Sequence, residues 1–181
     1  MSVQDDIKTV LISEEEIRAR SEELGKQITE DYAKEGKAPL VIALLRGSVP
    51  FLADIIKNID LDIQYDFMDV TSYAGTRTTG DIKILKDLDT SVVGKDILLV
   101  EDIVDSGYTI EAVRKLLFRK EAASVKVVTL LDKPSRRKVD VTPEYVGFEV
   151  DDLFVVGYGM DFNQHYRCLP YIGVLKDELY Q

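Results

Sequence analysis

At 181 residues the chain fits one domain, and 45% hydrophobic with 31% charged residues is ordinary for a globular protein. A formal net charge of -10 excludes broad electrostatic binding to nucleic acid, which needs clustered cations. No apolar run spans a membrane, the start of the chain lacks a secretory pattern, and a lone cysteine, Cys168, suits a reducing compartment, so a cytoplasmic protein is expected.

Ser13 followed by Glu16 predicts a capping box, with Glu14 and Glu15 at the positive end of the helix dipole. Ile17, Ser21, Leu24, Ile28 and Tyr32 then recur at helical spacing, and Gly36 and Pro39 mark the stop. Leu40–Leu45 is a continuous apolar run, as in a strand buried on both faces of a parallel sheet. After Arg46, Gly47 and Ser48, the residues Phe51, Leu52, Ile55, Ile56 and Ile59 repeat with helical period. Leu61, Ile63, Tyr65 and Phe67 alternate with Asp62, Gln64, Asp66 and Met68, which predicts a half-exposed strand with the apolar set inward. Residues 72–80 are small, polar and bounded by glycine, the composition of a mobile loop, before a returning strand at Ile82, Ile84 and Leu85.

Gly94 turns the chain into a second buried strand, Ile97–Val100, which feeds the acidic segment Glu101–Thr109. Ile110, Val113, Leu116 and Leu117 form the apolar face of the next helix, and Val125–Leu131 is a third apolar strand ending at Asp132, Lys133 and Pro134. Tyr145–Val150, Phe154–Val156 and Tyr171–Leu175 read as further short strands. This alternation predicts an α/β fold, a mainly parallel sheet with helices on both faces. Ligands of such sheets bind beyond the carboxyl ends of the strands, and Arg46-Gly47, Glu101–Thr109 and Lys133 each follow a strand.

Asp105-Ser106-Gly107-Tyr108-Thr109, between strand and helix, is a phosphate-binding arrangement. Helix-start amides are unpaired and sit at the positive dipole end, Gly107 permits close backbone approach, and the Ser106 and Thr109 hydroxyls add donors. The same residues also read as an ordinary capped helix with Ser106 or Thr109 at the cap. Glu101 and Asp102 favour the ligand reading, because adjacent carboxylates after an apolar run are costly to bury unpaired. Strand side chains alternate, so both can face one ligand only where the strand ends and relaxes. There they suit ribose hydroxyls and a hydrated magnesium ion, the alternative being an ion pair with nearby lysines. Asp105 would repel a phosphate unless it faces another part of the substrate. The set implies a 5-phosphate, a ribose diol and a metal-bound leaving group.

VEDIVDSGYT, at Val100–Thr109, resembles the phosphoribosyl pyrophosphate signature of type I phosphoribosyltransferases: two hydrophobics, two acids, two hydrophobics, then Asp-Ser-Gly-x-Thr. LLRGS at Leu44–Ser48, SYAGT at Ser72–Thr76, LLDKPSRR at Leu130–Arg137 and the long segment Val146–Leu175 are similar, in order, to bacterial hypoxanthine-guanine phosphoribosyltransferases. The resemblance implies one phosphoribosyltransferase domain over residues 1–181, with a core at 37–135 and a small hood from C-terminal segments. It implies purine salvage: phosphoribose passes from phosphoribosyl pyrophosphate to hypoxanthine or guanine, with Mg2+ as cofactor, in a homodimer or homotetramer. A xanthine-preferring transferase or a nucleotide-sensing regulator on the same fold is the alternative.

Roles follow from the same resemblance. Asp105 handles the purine N7 proton, while Glu101 and Asp102 hold the ribose hydroxyls and the metal. Ser106, Gly107, Tyr108 and Thr109 bind the 5′-phosphate. Pyrophosphate meets Arg46 and Gly47, which follow a peptide that is often cis in the family, together with Ser72, Tyr73 and Arg167. Many relatives have lysine at position 46, and arginine keeps the charge. Lys133 donates to the exocyclic oxygen, Phe154 stacks on the base, Val155 offers backbone contacts, and Asp161 lies near the base 2-position and a second metal. Loop 72–80 is the implied lid. Outside these roles, His165 reads as solvated, Cys168 as semi-buried packing, and Arg136, Arg137 and Lys138 as a solvated turn.

Overall fold

A computed structural model describes residues 3–72 and 82–180. In chain order the elements are β1 (Ile7–Ile12), α1 (Glu14–Lys34), β2 (Leu40–Leu45), α2 (Val49–Ile55), β3 (Gln64–Ser72), β4 (Ile82–Lys86), β5 (Asp96–Val104), α3 (Tyr108–Arg119), β6 (Ser124–Asp132), β7 (Tyr145–Glu149), β8 (Val155–Val156) and β9 (Ile172–Leu175). Short 3-10 turns include Pro134–Arg136 and Asp177–Leu179.

The capping box forms as the sequence dictates: the Glu16 amide donates to the Ser13 hydroxyl, and the Ser13 amide donates to the Glu16 carboxylate at 2.8 Å. Ile17, Ser21, Leu24, Ile28 and Tyr32 are all buried along one stripe of α1. That stripe and Phe51, Leu52 and Ile55 of α2 pack on Val41, Ala43, Leu98, Val100, Val128 and Leu130. The alternate residues of the same strands, Leu40, Ile42, Leu44, Ile97, Leu99 and Val127, face Ile110, Val113 and Leu117 of α3. Strands apolar on both faces thus acquire helices on both faces. The sheet order is β4-β3-β2-β5-β6-β7, parallel except for β4, in line with the expected α/β class.

A second, antiparallel sheet, β1-β9-β8, forms the hood. Its first strand comes from the N-terminal part of the chain and escapes sequence reading. Of β1 only Ile12 is fully buried, so its pattern carries no inward period. The alternation expected before the loop is also corrected. Asp66 and Met68 are buried, at 7% and 0% exposure, whereas Tyr65 is 55% exposed. The Asp66 carboxylate tolerates that burial because it accepts amide hydrogen bonds from Phe67, Asp89 and Thr90 at 2.7, 2.9 and 2.8 Å.

Candidate active site

The carboxyl ends of β2, β5 and β6 meet the hood, and the polar residues collect there. β5 continues through Val104, so Glu101 and Asp102 lie inside a regular strand rather than beyond a relaxed end. Alternation turns them toward different sides, yet their carboxyl groups still interact directly with each other. Glu101 lines a cavity of about 100 Å³ with Asp105, Ser106, Gly107 and Thr109. Asp102 lines an adjoining cavity of about 430 Å³ with Asp105, Lys133, Phe154, Val155 and Asp161. Ile103 and Asp105 border both, so the two cavities adjoin at the carboxylates.

No lysine is paired with either carboxylate among the described residues. Oε2 of Glu101 is buried without a hydrogen-bond partner, and Asp102 Oδ1 accepts the Ile103 amide at 2.7 Å. Burial pushes the Glu101 carboxyl well above the usual range, and the Asp102 charge adds to the effect. Burial raises Asp102 as well, against the hydrogen bond it shares with Glu101, that of the Ile103 amide and the charge of Arg167. A pair that is costly to ionise in the ligand-free protein is poised for a cation.

Gly107 itself is the N-cap of α3, at φ +88°, and no side chain caps the helix. This removes Ser106 and Thr109 from the capping role. The side chains of Arg137 and Val139 also crowd Gly107: a Cβ there would lie 2.9 and 3.0 Å from them. Helix-start amides free of a side-chain cap, beside two hydroxyl residues, are the donors that an anion takes. Tyr108 opens the helix, half-buried.

In the larger cavity Lys133 is buried to 6% exposure, and its ammonium donates to the Leu153 carbonyl at 2.7 Å. Burial lowers its pKa, opposed by Asp105 and Asp152. Phe154 keeps 37% exposure, stacks on Tyr180 at 4.6 Å between centroids and meets Phe162 edge-on at 5.4 Å. Val155 is buried in β8. Asp105 accepts from Arg136 Nε at 2.7 Å, and the same guanidinium holds both oxygens of Asp152 at 3.0 and 2.9 Å. Arg137 Nη1 donates to the Asp105 carbonyl at 2.6 Å, and its Nη2 pairs with Asp132. The segment after β6 is an exposed turn at Arg136 and Lys138, as expected, but it is more than a solvated one. Its arginines grip Asp105, which linear spacing of 31 and 32 residues conceals.

The hood closes on the core through two glycines. A Cβ on Gly47 would lie 1.6 Å from Asp102 Oδ2, and one on Gly159 would lie 2.0 Å from the Gly47 carbonyl. Only hydrogen at both positions lets hood, loop and carboxylate stack this closely. The Leu45–Arg46 peptide is cis, and Arg46 is exposed. Arg167 pairs with Asp161 at 2.8 Å and donates to the Gly159 carbonyl at 2.6 Å. Ser72 ends β3, and Tyr73 with the rest of the implied lid lies outside the described residues. His165 is exposed, as expected, but so is Cys168, against the expectation of semi-buried packing. No helix among the described residues is long and apolar enough to cross a membrane.

Residues 11–163 match the profile of the phosphoribosyl transferase domain. The chain is 53% identical to a hypoxanthine-guanine phosphoribosyltransferase of Bacillus subtilis over 99% of each chain. It is also 53% identical to the Lactococcus lactis protein of that name, over 96% of this chain and 94% of the other. Its fold superposes on a hypoxanthine phosphoribosyltransferase crystal structure from Staphylococcus aureus with a TM-score of 0.93 at 47% identity, covering 98% of this chain and 96% of the other.

Proposed function

The chain belongs to the phosphoribosyl transferase domain family, and from this premise we propose the reaction it runs. It is a purine salvage enzyme that transfers 5-phosphoribose from phosphoribosyl pyrophosphate to hypoxanthine or guanine, giving the nucleoside monophosphate and pyrophosphate. The observation that carries this reading is the junction at β5, where Glu101, Asp102 and Asp105 border an anion seat and a base-sized cavity.

A ring nitrogen of the purine bonds to the anomeric carbon as the bond from that carbon to pyrophosphate breaks. The 5′-phosphate rests on the amides and hydroxyls of Ser106–Thr109. The purine lies in the larger cavity, stacked on Phe154, beside the backbone of Val155, with Lys133 donating to its exocyclic oxygen. A donor-only ammonium mismatches the amino group of adenine. Asp105 accepts the N7 proton and stabilises positive charge on the ribose ring. Glu101 and Asp102 meet the ribose hydroxyls, and pyrophosphate is assigned to Arg46, Gly47 and Arg167, with Ser72 and Tyr73 of the implied lid.

The residues fit magnesium. No group of three or more His, Cys, Asp or Glu clusters for a metal among the described residues, but this ion takes one or two carboxylates and keeps waters. The unpartnered Glu101 oxygen and the adjacent Asp102 would supply those carboxylates, and Asp161, which lines the larger cavity, would serve a second ion. When bound, magnesium would neutralise the departing pyrophosphate. The family resemblance supports a homodimer or homotetramer, and an unpaired cysteine supports a cytoplasmic setting.

Initial rates with guanine, hypoxanthine, xanthine, adenine and uracil, in the presence of magnesium, test the reading. Turnover is expected with the 6-oxopurines and not with adenine or uracil. Preference for adenine, or no turnover of any base, would overturn it.

A further inference from the structure

Asp105 stands on the turn between β5 and α3, and among the described residues its carboxylate has one hydrogen-bond partner, Arg136 Nε at 2.7 Å. No backbone amide fixes it, in contrast to Asp102, which accepts the Ile103 amide. The orientation of Asp105 therefore depends on where Arg136 is held. Two contacts hold it. Arg136 Nη1 reaches both oxygens of Asp152, at 3.0 and 2.9 Å, and the 3-10 turn Pro134–Arg136 ties the arginine backbone to Lys133 through the Arg136 amide and the Lys133 carbonyl at 3.0 Å. Asp105, Arg136, Asp152 and Lys133 all line the larger cavity. The pairs are part-exposed, with side-chain exposures of 47% for Arg136, 41% for Asp105 and 59% for Asp152, so an isolated contact would add little stability. A planar guanidinium joined to two carboxylates nevertheless fixes direction.

We propose that Arg136 is a positioning residue for the reaction: anchored on Asp152, it holds one oxygen of Asp105 and leaves the other aimed into the cavity to take the base proton. The proposal rests on the assignment of Asp105 as proton acceptor. It makes Asp152 part of the same device, acting at one remove through Arg136.

Removing Arg136 frees the Asp105 carboxylate to rotate, which costs turnover rather than base affinity. Arg136→Ala is expected to lower kcat about tenfold, within the hundredfold that misplacement by an ångström can cost. KM for guanine and the melting temperature stay close to those of the parent, and Arg136→Lys recovers part of the loss. Asp152→Asn gives a smaller loss, and the double variant Arg136→Ala with Asp152→Asn is no worse than Arg136→Ala alone, as expected of one coupled unit. Asp105→Asn, measured in parallel, separates the two claims. If Asp105→Asn keeps full turnover, the assignment of Asp105 falls and the proposal with it. If Asp105→Asn is impaired while Arg136→Ala keeps or raises kcat, Arg136 does not position Asp105. Additive losses in the double variant would likewise overturn the role of Asp152.

Discussion

Glu101 and Lys133 both carry a charge that burial disfavours. Burial raises the folded pKa of Glu101 above its unfolded value, so the folded state holds a proton that the unfolded chain has released. Stability is lost as pH climbs from the ordinary glutamate range toward that raised value, and it is unaffected below both. Ligand-free Glu101→Gln is therefore expected to melt higher than the parent at about pH 8, with the difference vanishing near about pH 4. The same variant should lose part of the thermal stabilisation that magnesium with phosphoribosyl pyrophosphate confers on the parent. Equal melting of both proteins across the range would mean that no charge is being buried. Lys133 is buried and tied to the Leu153 carbonyl, which aims a donor into the base cavity. Lys133→Ala is expected to shrink the ratio of kcat/KM for guanine over adenine by roughly a hundredfold, since a site built on one hydrogen bond discriminates through it. An unchanged ratio would take base selection away from Lys133. The role proposed for Lys133 comes only through resemblance, because a lysine before proline is otherwise an unremarked turn residue.

Elements that carry the site were legible in proportion to their burial. β2, β5 and β6 are apolar on both faces, and α1 has a cap and a clean stripe, so their existence follows from composition and period alone. β3 misled because hydrogen bonds satisfy Asp66 inside while Tyr65 remains outside. The junction of hood and core lies in no single element. Gly159 sits at φ +96° with the Gly47 carbonyl where its Cβ would be, and Gly47 in turn leaves room for Asp102. Gly159→Ala is expected to cost about 1–3 kcal/mol in denaturant unfolding. It should also lower kcat/KM by displacing Gly47 and with it Asp102. A variant with parent stability and kinetics would show that the hood backbone yields freely.

Over the whole molecule, the formal net charge of -10 leaves no surplus of cations for a nucleic-acid track. RNA is expected to pass a filter unretained by this protein at about physiological salt, and tight retention would favour a nucleotide-sensing regulator on the same fold. Sequence alone determined the α/β class, the strand-turn-helix around Gly107 and the acidic residues before it, because these depend on periodicity and on chemistry between near neighbours. Tertiary structure decided the rest. It assigned β1 to the hood beside β9, set Glu101 and Asp102 where two cavities adjoin, and brought Arg136 and Arg137 to Asp105. Each of those outcomes turns on which residues distant in the chain share a volume, and hydrophobic period records only the side an element buries, never the partner it buries against.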